Sequence, residues 1–233
     1  MKGPALVVMA RAPVAGQVKT RLQPELTRDQ CAAASLAFLR DVLDLAVSLP
    51  QCTPFLAFTP PEERAFFESI TPQKLSLTPQ TDGDIGQRMY HLMRQLEETG
   101  YSPVILIGSD IPTLQPGTLV TAIKELGDYD LCLGPSRDGG YYLIGARHID
   151  ERIFLDMQWS TPNVFTETVR KAHVAGLSLT LLEEYGDVDT FADLQELQKD
   201  IQRLRGRPGE RIPLHTEAWM QEIRISFGGA SPE

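Results

Sequence analysis

The feature that most constrains this chain is an alternation. Short apolar runs rich in β-branched residues are separated by longer segments with helical spacing. Ala5 to Ala10, "TPFLAFT", "KLSLTP" and "PVILIG" each read as a strand, and "PVILIG" is the cleanest. After the first, Thr27 is placed to cap a helix that carries Cys31, Phe38, Leu39, Val42, Leu45, Ala46 and Leu49 at helical spacing. "PPEERAFFESI" opens with proline and acids, as a short helix does. "QTDGDIGQRMYHLMRQLEETG" holds a loop and then a helix with Ile85, Met89, Leu92, Met93 and Leu96 on one stripe. "PGTLVTAIKELG" and "TPNVFTETVRKAHVAG" are helical, and "YDLCLGPSRDGGYYLIGARH" reads as two strands around a Gly-rich bend. "LSLTLLE" is a last strand, and "YGDVDT" leads into a helix with Leu194, Leu197, Ile201 and Leu204.

Strands alternating with helices predict an α/β layer fold with a mostly parallel sheet. The 233 residues suffice for a full core, and no fixed-period repeat or low-complexity linker interrupts the chain before Arg205. The expected organisation is one domain over 1–205 and a C-terminal extension over 206–233. The extension mixes Pro, Gly and scattered charge around one short helix near His215 to Ile223. Its last six residues, in "FGGASPE", are expected to be disordered.

Charge removes whole classes of partner. With 22 Lys and Arg against 31 Asp and Glu, the net charge of -9 argues against a nucleic-acid or membrane-surface binder, since both need basic surface. The three cysteines, Cys31, Cys52 and Cys132, form no C-x-x-C pair, which suits a reducing compartment. The first apolar run is too short for a signal core or a membrane span. A cytoplasmic protein is expected.

In open α/β sheets, ligands bind beyond the carboxyl ends of the strands. That rule selects five loops: Arg11 to Arg21, Gln80 to Asp84, Ser109 to Thr113, Ser136 to Gly140, and Gly186 to Thr190. The first carries Arg11, Gly16, Lys19 and Arg21; the others carry Asp82 and Asp84, Asp110, Asp138, and Asp187 with Asp189. Cations facing acids at one sheet edge suggest phosphate held by the cations and by a metal that the carboxylates hold. Asp110, just past a buried strand, can anchor a hard divalent ion; equally, it can cap the helix that Pro116 begins. Asp189 either joins it or serves the N-terminus of the following helix, where an acid is favourable without a ligand. Lys19 is a mobile point charge, and Arg11 and Arg21 can fork onto phosphate oxygens; the alternative is a solvated loop. In "DGGYYLIG", Gly139 and Gly140 let backbone amides approach a ligand, or the stretch is a plain hairpin turn.

Several familiar motifs are absent. "GQVKT" lacks the Gly that a P-loop needs before its lysine, since Val18 stands there. No G-x-G-x-x-G follows the first strand, and no G-x-S-x-G elbow exists. His91, His148, His173 and His215 are scattered without ligand spacing. Trp159 either stacks on a base or sugar or packs as a hydrophobic staple.

Six stretches in order, "RAPVAGQVKTRL", "QTDGDIGQRM", "GSDIPTL", "GPSRDGGYYLIG", "WST" and "DVDTFADL", resemble a bacterial family of glycosyltransferase-like proteins of the radical-SAM-associated type. That family looks like a branch of the nucleotide-diphospho-sugar transferase superfamily, the GT-A fold. The resemblance spans about residues 4–200. It implies a three-layer αβα sandwich with a mixed, mostly parallel sheet. By the same resemblance, Ala10, Arg11, Gly16, Lys19 and Arg21 would wrap the phosphates, and Gln80 and Gly83 would meet the base. Asp110 would bind the metal, completed by Asp189 with Asp187 beside it. The loop with Asp138, Gly139 and Gly140 would face the acceptor. Gly108 stands where glycosyltransferases of this fold carry the first acid of D-x-D, which resembles the nucleotidyltransferase branch more.

The expected activity is transfer from a nucleotide with Mg²⁺ or Mn²⁺ held by Asp110 and Asp189. Lys19 and the ion would neutralise the phosphates, and Asp138 would act as base or orient the acceptor. The leaning is to nucleotidyl transfer from a nucleoside triphosphate. Glycosyl transfer from a nucleotide-diphospho-sugar is the alternative, and a non-catalytic nucleotide-binding module is a second. Partners are then a nucleotide or nucleotide sugar and a small-molecule acceptor. The tail from Pro208 is long enough to cover a neighbouring copy in an oligomer.

Overall fold

The computed structural model describes residues 2–223, so the disorder expected of the last six residues lies outside the described residues. Seven strands and seven α-helices follow one another as β1 (Ala5–Arg11), α1 (Arg28–Val47), β2 (Thr53–Thr59), α2 (Arg64–Ile70), β3 (Ser76–Pro79), α3 (Ile85–Glu98), β4 (Val104–Gly108), α4 (Pro116–Glu125), β5 (Leu131–Pro135), β6 (Tyr141–Ala146), α5 (Val164–Ala175), β7 (Leu179–Leu181), α6 (Phe191–Arg205) and α7 (Leu214–Glu222). The sheet order is β3-β2-β1-β4-β6-β5-β7. β6 runs antiparallel to both of its neighbours, and the other pairs are parallel.

Alternation along β1 shows why the sheet is covered on both faces. Leu6, Val8 and Ala10 pack into one cluster with residues of α1, α2 and α4, while Ala5 and Val7 pack into another with α3 and α5. These are the three layers. A third cluster joins α1, α6 and α7 through Phe38, Leu194, Leu197, Ile201 and Trp219. The segment after α6 is therefore packed on α1, with Trp219 edge-on to Phe38. Among the described residues no helix is long and apolar enough to cross a membrane.

The helix starts follow from their caps. Thr27, Asp84 and Thr190 each accept from the backbone N–H three residues on, and the side chains of Gln30, Gln87 and Asp193 return the bond. Asp84 is thus an N-cap. Gln115 holds the N-cap position of α4, so Asp110 is not that helix's cap.

The order 3-2-1-4 places a topological switch between β1 and β4. Connections leaving these two strands diverge, which opens a crevice beyond their carboxyl ends. Because β6 is antiparallel, the β5–β6 turn lies at that same edge.

Candidate active site

The loop after β1 delivers Lys19 to the crevice in a left-handed backbone conformation, φ 48° and ψ 40°. That costs a non-glycine residue about 1–2 kcal/mol. A glycine would avoid the cost, so the side chain is what the position holds. Lys19 Nζ lies 3.0 Å from Oδ1 of Asp110 and 2.9 Å from Oδ1 of Asp189. The lysine side chain is 4% exposed, whereas the two carboxylates are 42% and 41% exposed. Burial pulls the lysine pKa down, but the two carboxylates outweigh it and the value is raised, so the ammonium keeps its proton.

Two loops fix those acids. The Val188 N–H donates to the Asp110 carbonyl, which ties the end of β4 to the segment before α6. Asp193 accepts from the N–H groups of Asp189 and Thr190 and from the Thr190 hydroxyl. Since Thr190 caps α6, the Asp189 carboxylate is left to face Lys19. Arg21 stands 3.7 Å from the other Asp189 oxygen and is itself exposed.

Two cavities meet at this cluster. One, of about 430 Å³, is bounded by the ends of β1 and β4, by Gln80 and Arg88, and by Lys19, Asp110 and Asp189. The other, of about 550 Å³, is bounded by Arg21, Asp138, Gly140, Trp159 and Thr161. Asp189, Tyr141, Ile85 and Met89 line both, so Asp189 stands on the boundary.

In the first cavity Gln80 is buried, and its amide donates to the carbonyls of Ala57 (2.9 Å) and Ala10 (3.3 Å). Its oxygen accepts from Arg88 at 3.2 Å. Both of its N–H groups are spent on backbone, so what this pair offers a ligand is the arginine.

In the second cavity, one oxygen of Asp138 accepts from the Ser136 hydroxyl and, at 2.9 Å, from the Gly140 N–H. A Cβ on Gly139, which has φ 88°, would lie 2.1 Å from the Pro162 carbonyl oxygen. The β5–β6 turn and the loop through Trp159 are therefore pressed together, and only glycine permits it. The Trp159 indole lies against Gly86, where a Cβ would be 2.3 Å from the ring. Trp159 thus packs on the start of α3 while also walling the cavity.

The structure brings Ala10, Arg11, Lys19, Gln80, Asp110 and Asp189 onto the first cavity, and Arg21, Asp138 and Gly140 onto the second. Gly16, Gly83, Gly139 and Asp187 line neither. Asp187 is still part of the electrostatics. Burial first, and then the charges of Asp138 and Asp189, push its carboxyl up to about 6. Arg88 was not among the expected site residues. Its signal is a short stripe, Ile85, Arg88 and Met89, on the first turns of α3, and all three line the first cavity.

The donor set can be tested against a divalent metal. Among the described residues no three His, Cys, Asp or Glu side chains form a ready-made metal cage. Mg²⁺ does not require one, since it takes one or two carboxylates and completes its shell with water and phosphate oxygens. Asp110 and Asp189 are all-oxygen, partly open and already gathered around a cation, so they fit such an ion.

The chain matches, over residues 42–161, the family model described as "Uncharacterized protein conserved in bacteria (DUF2064)". It is similar to a crystal structure from Desulfovibrio desulfuricans G20 named a "putative nucleotide-diphospho-sugar transferase", with 30% identity, 96% of each chain covered and a TM-score of 0.86. It also resembles CMP:2-keto-3-deoxy-manno-octonic acid synthetase complexed with CTP, at 14% identity over 86% of this chain and 99% of that one, with a TM-score of 0.55. A cytidylyltransferase from Leptospira borgpetersenii serovar Hardjo-bovis (strain JB197) gives 11% identity, 98% and 99% coverage, and the same TM-score of 0.55. The latter two are likenesses of fold. None of the curated proteins matches the chain. The αβα sandwich implied by the sequence is thus the nucleotide-diphospho-sugar transferase fold.

Proposed function

The chain belongs to the bacterial DUF2064 family, and on that premise we propose that it is a divalent-metal-dependent transferase whose donor is a nucleotide and whose reaction is nucleotidyl transfer from a nucleoside triphosphate. One observation carries this reading: Lys19, Asp110 and Asp189 form a charged cluster where two cavities meet. Two-substrate group transfer needs that arrangement, with the reacting phosphate between a donor cavity and an acceptor cavity.

The donor base and ribose occupy the first cavity, where Arg88, braced by Gln80, offers N–H donors to a base carbonyl. Arg11 lies on the same wall for the phosphates. The acceptor occupies the second cavity. Asp138 has one oxygen committed to Ser136 and Gly140, and the other is available to orient an acceptor hydroxyl or take its proton. The acceptor oxygen bonds to the α-phosphorus, the bond from that phosphorus to the bridging oxygen breaks, and pyrophosphate leaves with the electron pair. Asp110 and Asp189 would hold Mg²⁺ or Mn²⁺, which when bound supplies neutralisation of phosphate charge. The likeness to a CTP-bound synthetase supports a nucleoside triphosphate in such a fold.

Glycosyl transfer is the second reading, favoured by the name of the Desulfovibrio relative; there a nucleoside diphosphate leaves. Gly108, in place of an acid two residues before Asp110, favours the first. The test is a thermal-shift series with CTP, UTP, ATP, GTP and nucleotide sugars, with and without Mn²⁺. At least one nucleotide should stabilise the protein in a Mn²⁺-dependent manner, and Asp110→Ala should lose that shift. No Mn²⁺-dependent shift with any nucleotide would sink the reading. For the ligand that binds, pyrophosphate release identifies nucleotidyl transfer and nucleoside diphosphate release identifies glycosyl transfer; stabilisation without turnover identifies a binding module.

A further inference from the structure

We propose that Lys19 makes divalent-cation binding conditional on the nucleotide: it balances the charge of the Asp110–Asp189 pair in the free protein, so that the metal is retained only together with a polyphosphate. This rests on the metal-dependent reading above and assigns Lys19 a positioning role that phosphate contact alone does not capture.

The ammonium is within hydrogen-bond distance of one oxygen of each carboxylate, and its side chain is almost wholly buried while theirs stay partly open. A phosphate in the first cavity meets all three charged groups, since Lys19, Asp110 and Asp189 line it together. About two-fifths of each carboxylate side chain stays exposed, and that open part is where a metal would approach. A cation arriving there finds two acids whose combined charge of two is already half cancelled by a fixed positive charge a few ångströms away. Like charges at that range oppose each other even where the surrounding dielectric is well above that of a dry interior. Arg21, 3.7 Å from the second Asp189 oxygen, adds to the opposition. A polyphosphate reverses the balance, because its oxygens complete the metal's shell and its charge is attracted by Lys19, Arg11 and Arg21 together. The aromatic ring of Phe38, 5.9 Å from Nζ, supports the ammonium from below. The strained backbone at Lys19 is accounted for by the need to deliver a cation to this spot.

The test measures Mn²⁺ binding to the intact protein by water-proton relaxation, alone and with inorganic tripolyphosphate, which leaves base identity out of the question. Wild type should bind Mn²⁺ weakly alone and at least about tenfold more tightly with tripolyphosphate. Lys19→Met should bind Mn²⁺ alone more tightly than wild type, by about tenfold or more, and should lose most of the tripolyphosphate enhancement. Lys19→Arg, which keeps the charge, should restore the wild-type pattern. A Lys19→Met protein that folds and binds Mn²⁺ alone no more tightly than wild type overturns the inference. So does a wild-type protein whose Mn²⁺ affinity is the same with and without tripolyphosphate, a result that needs no variant. Either leaves metal-dependent transfer standing. Wild type that binds no Mn²⁺ under any condition overturns that reading and the inference with it.

Discussion

Two clusters of charge in this molecule use the same residue types to opposite ends. At Asp41 the carboxylate is 1% exposed. One oxygen accepts from the His215 N–H, and the other from the Thr216 N–H and hydroxyl. Pro213 precedes α7 and offers no side-chain cap, so an acid on α1 caps the helix from across the interface. Arg211 completes the region by donating to the carbonyls of Asp41, Pro112 and Leu114. Gln115 exchanges two hydrogen bonds with the Arg211 backbone. At Asp110 and Asp189, by contrast, two carboxylates share one lysine and about two-fifths of each side chain stays open. Exclusion from solvent marks the first cluster as structural. Partly exposed carboxylates beside a cavity mark the second as a site.

The contrast breaks most readily at the open cluster. Asp110→Ala should lower turnover by about a thousandfold, on the scale of losing a preorganised electrostatic group, while the thermal midpoint stays near that of wild type. Retained turnover, or a collapse in stability matching the lost activity, would erase the distinction between the clusters. The next effect is on stability. Asp41→Ala removes the α7 cap and leaves buried N–H groups unpaired, which should cost about 3 kcal/mol and lower the midpoint by roughly 6–12 °C for a chain of this size. Activity per folded molecule should not change. A variant that melts with the wild type would show that the C-terminal segment is held by Trp219 and its neighbours alone.

The sheet and the acids of the open cluster are legible in the sequence, and the closed cluster is not. The sheet was legible because its strands are apolar runs, and the caps because Thr27, Asp84 and Thr190 precede Gln, Gln and Asp by three residues. Asp110 and Asp189 were legible because acids past strand ends lie in a predictable place. The partner of Lys19 was not, because sequence distance carries no information about which of several charges meet across 170 residues. Arg21, expected with the nucleotide phosphates, lies on the wall of the second cavity and 3.7 Å from the Asp189 carboxylate that Lys19 also meets. The expected β7 was longer than the three residues that pair, because only Leu179–Leu181 align with β5. The closed cluster at Asp41 was invisible, as nothing in "RDVLDL" separates a helix-capping acid from a solvated one.

A third charge cluster, on neither extreme, sharpens the comparison with the smallest effect. Asp130, at the far end of β5 from the crevice, accepts from the Ser178 hydroxyl (2.6 Å) and N–H (2.9 Å) and from Arg147 at 2.9 Å. The Ser178 hydroxyl first, then its N–H and Arg147, hold its carboxyl down at about 2. Its side chain is one-third exposed. The sign follows from linkage: a folded pKa below the ordinary 3.8 means that the stabilisation is complete above that value and is lost as pH falls through about 2. Asp41 behaves in the opposite sense, since burial raises its pKa against the pull of Thr216, His215 and Arg211, and its ionised form is the costly one. Screening at a partly open position reduces the Asp130 contribution to about 1 kcal/mol. Asp130→Asn should therefore melt slightly below wild type at pH 7, and the gap should close as pH is lowered from 4 to 2. A gap that persists unchanged at pH 2 would mean that Asp130 acts through packing, and that hydrogen bonding does not order these three clusters by their effect on stability.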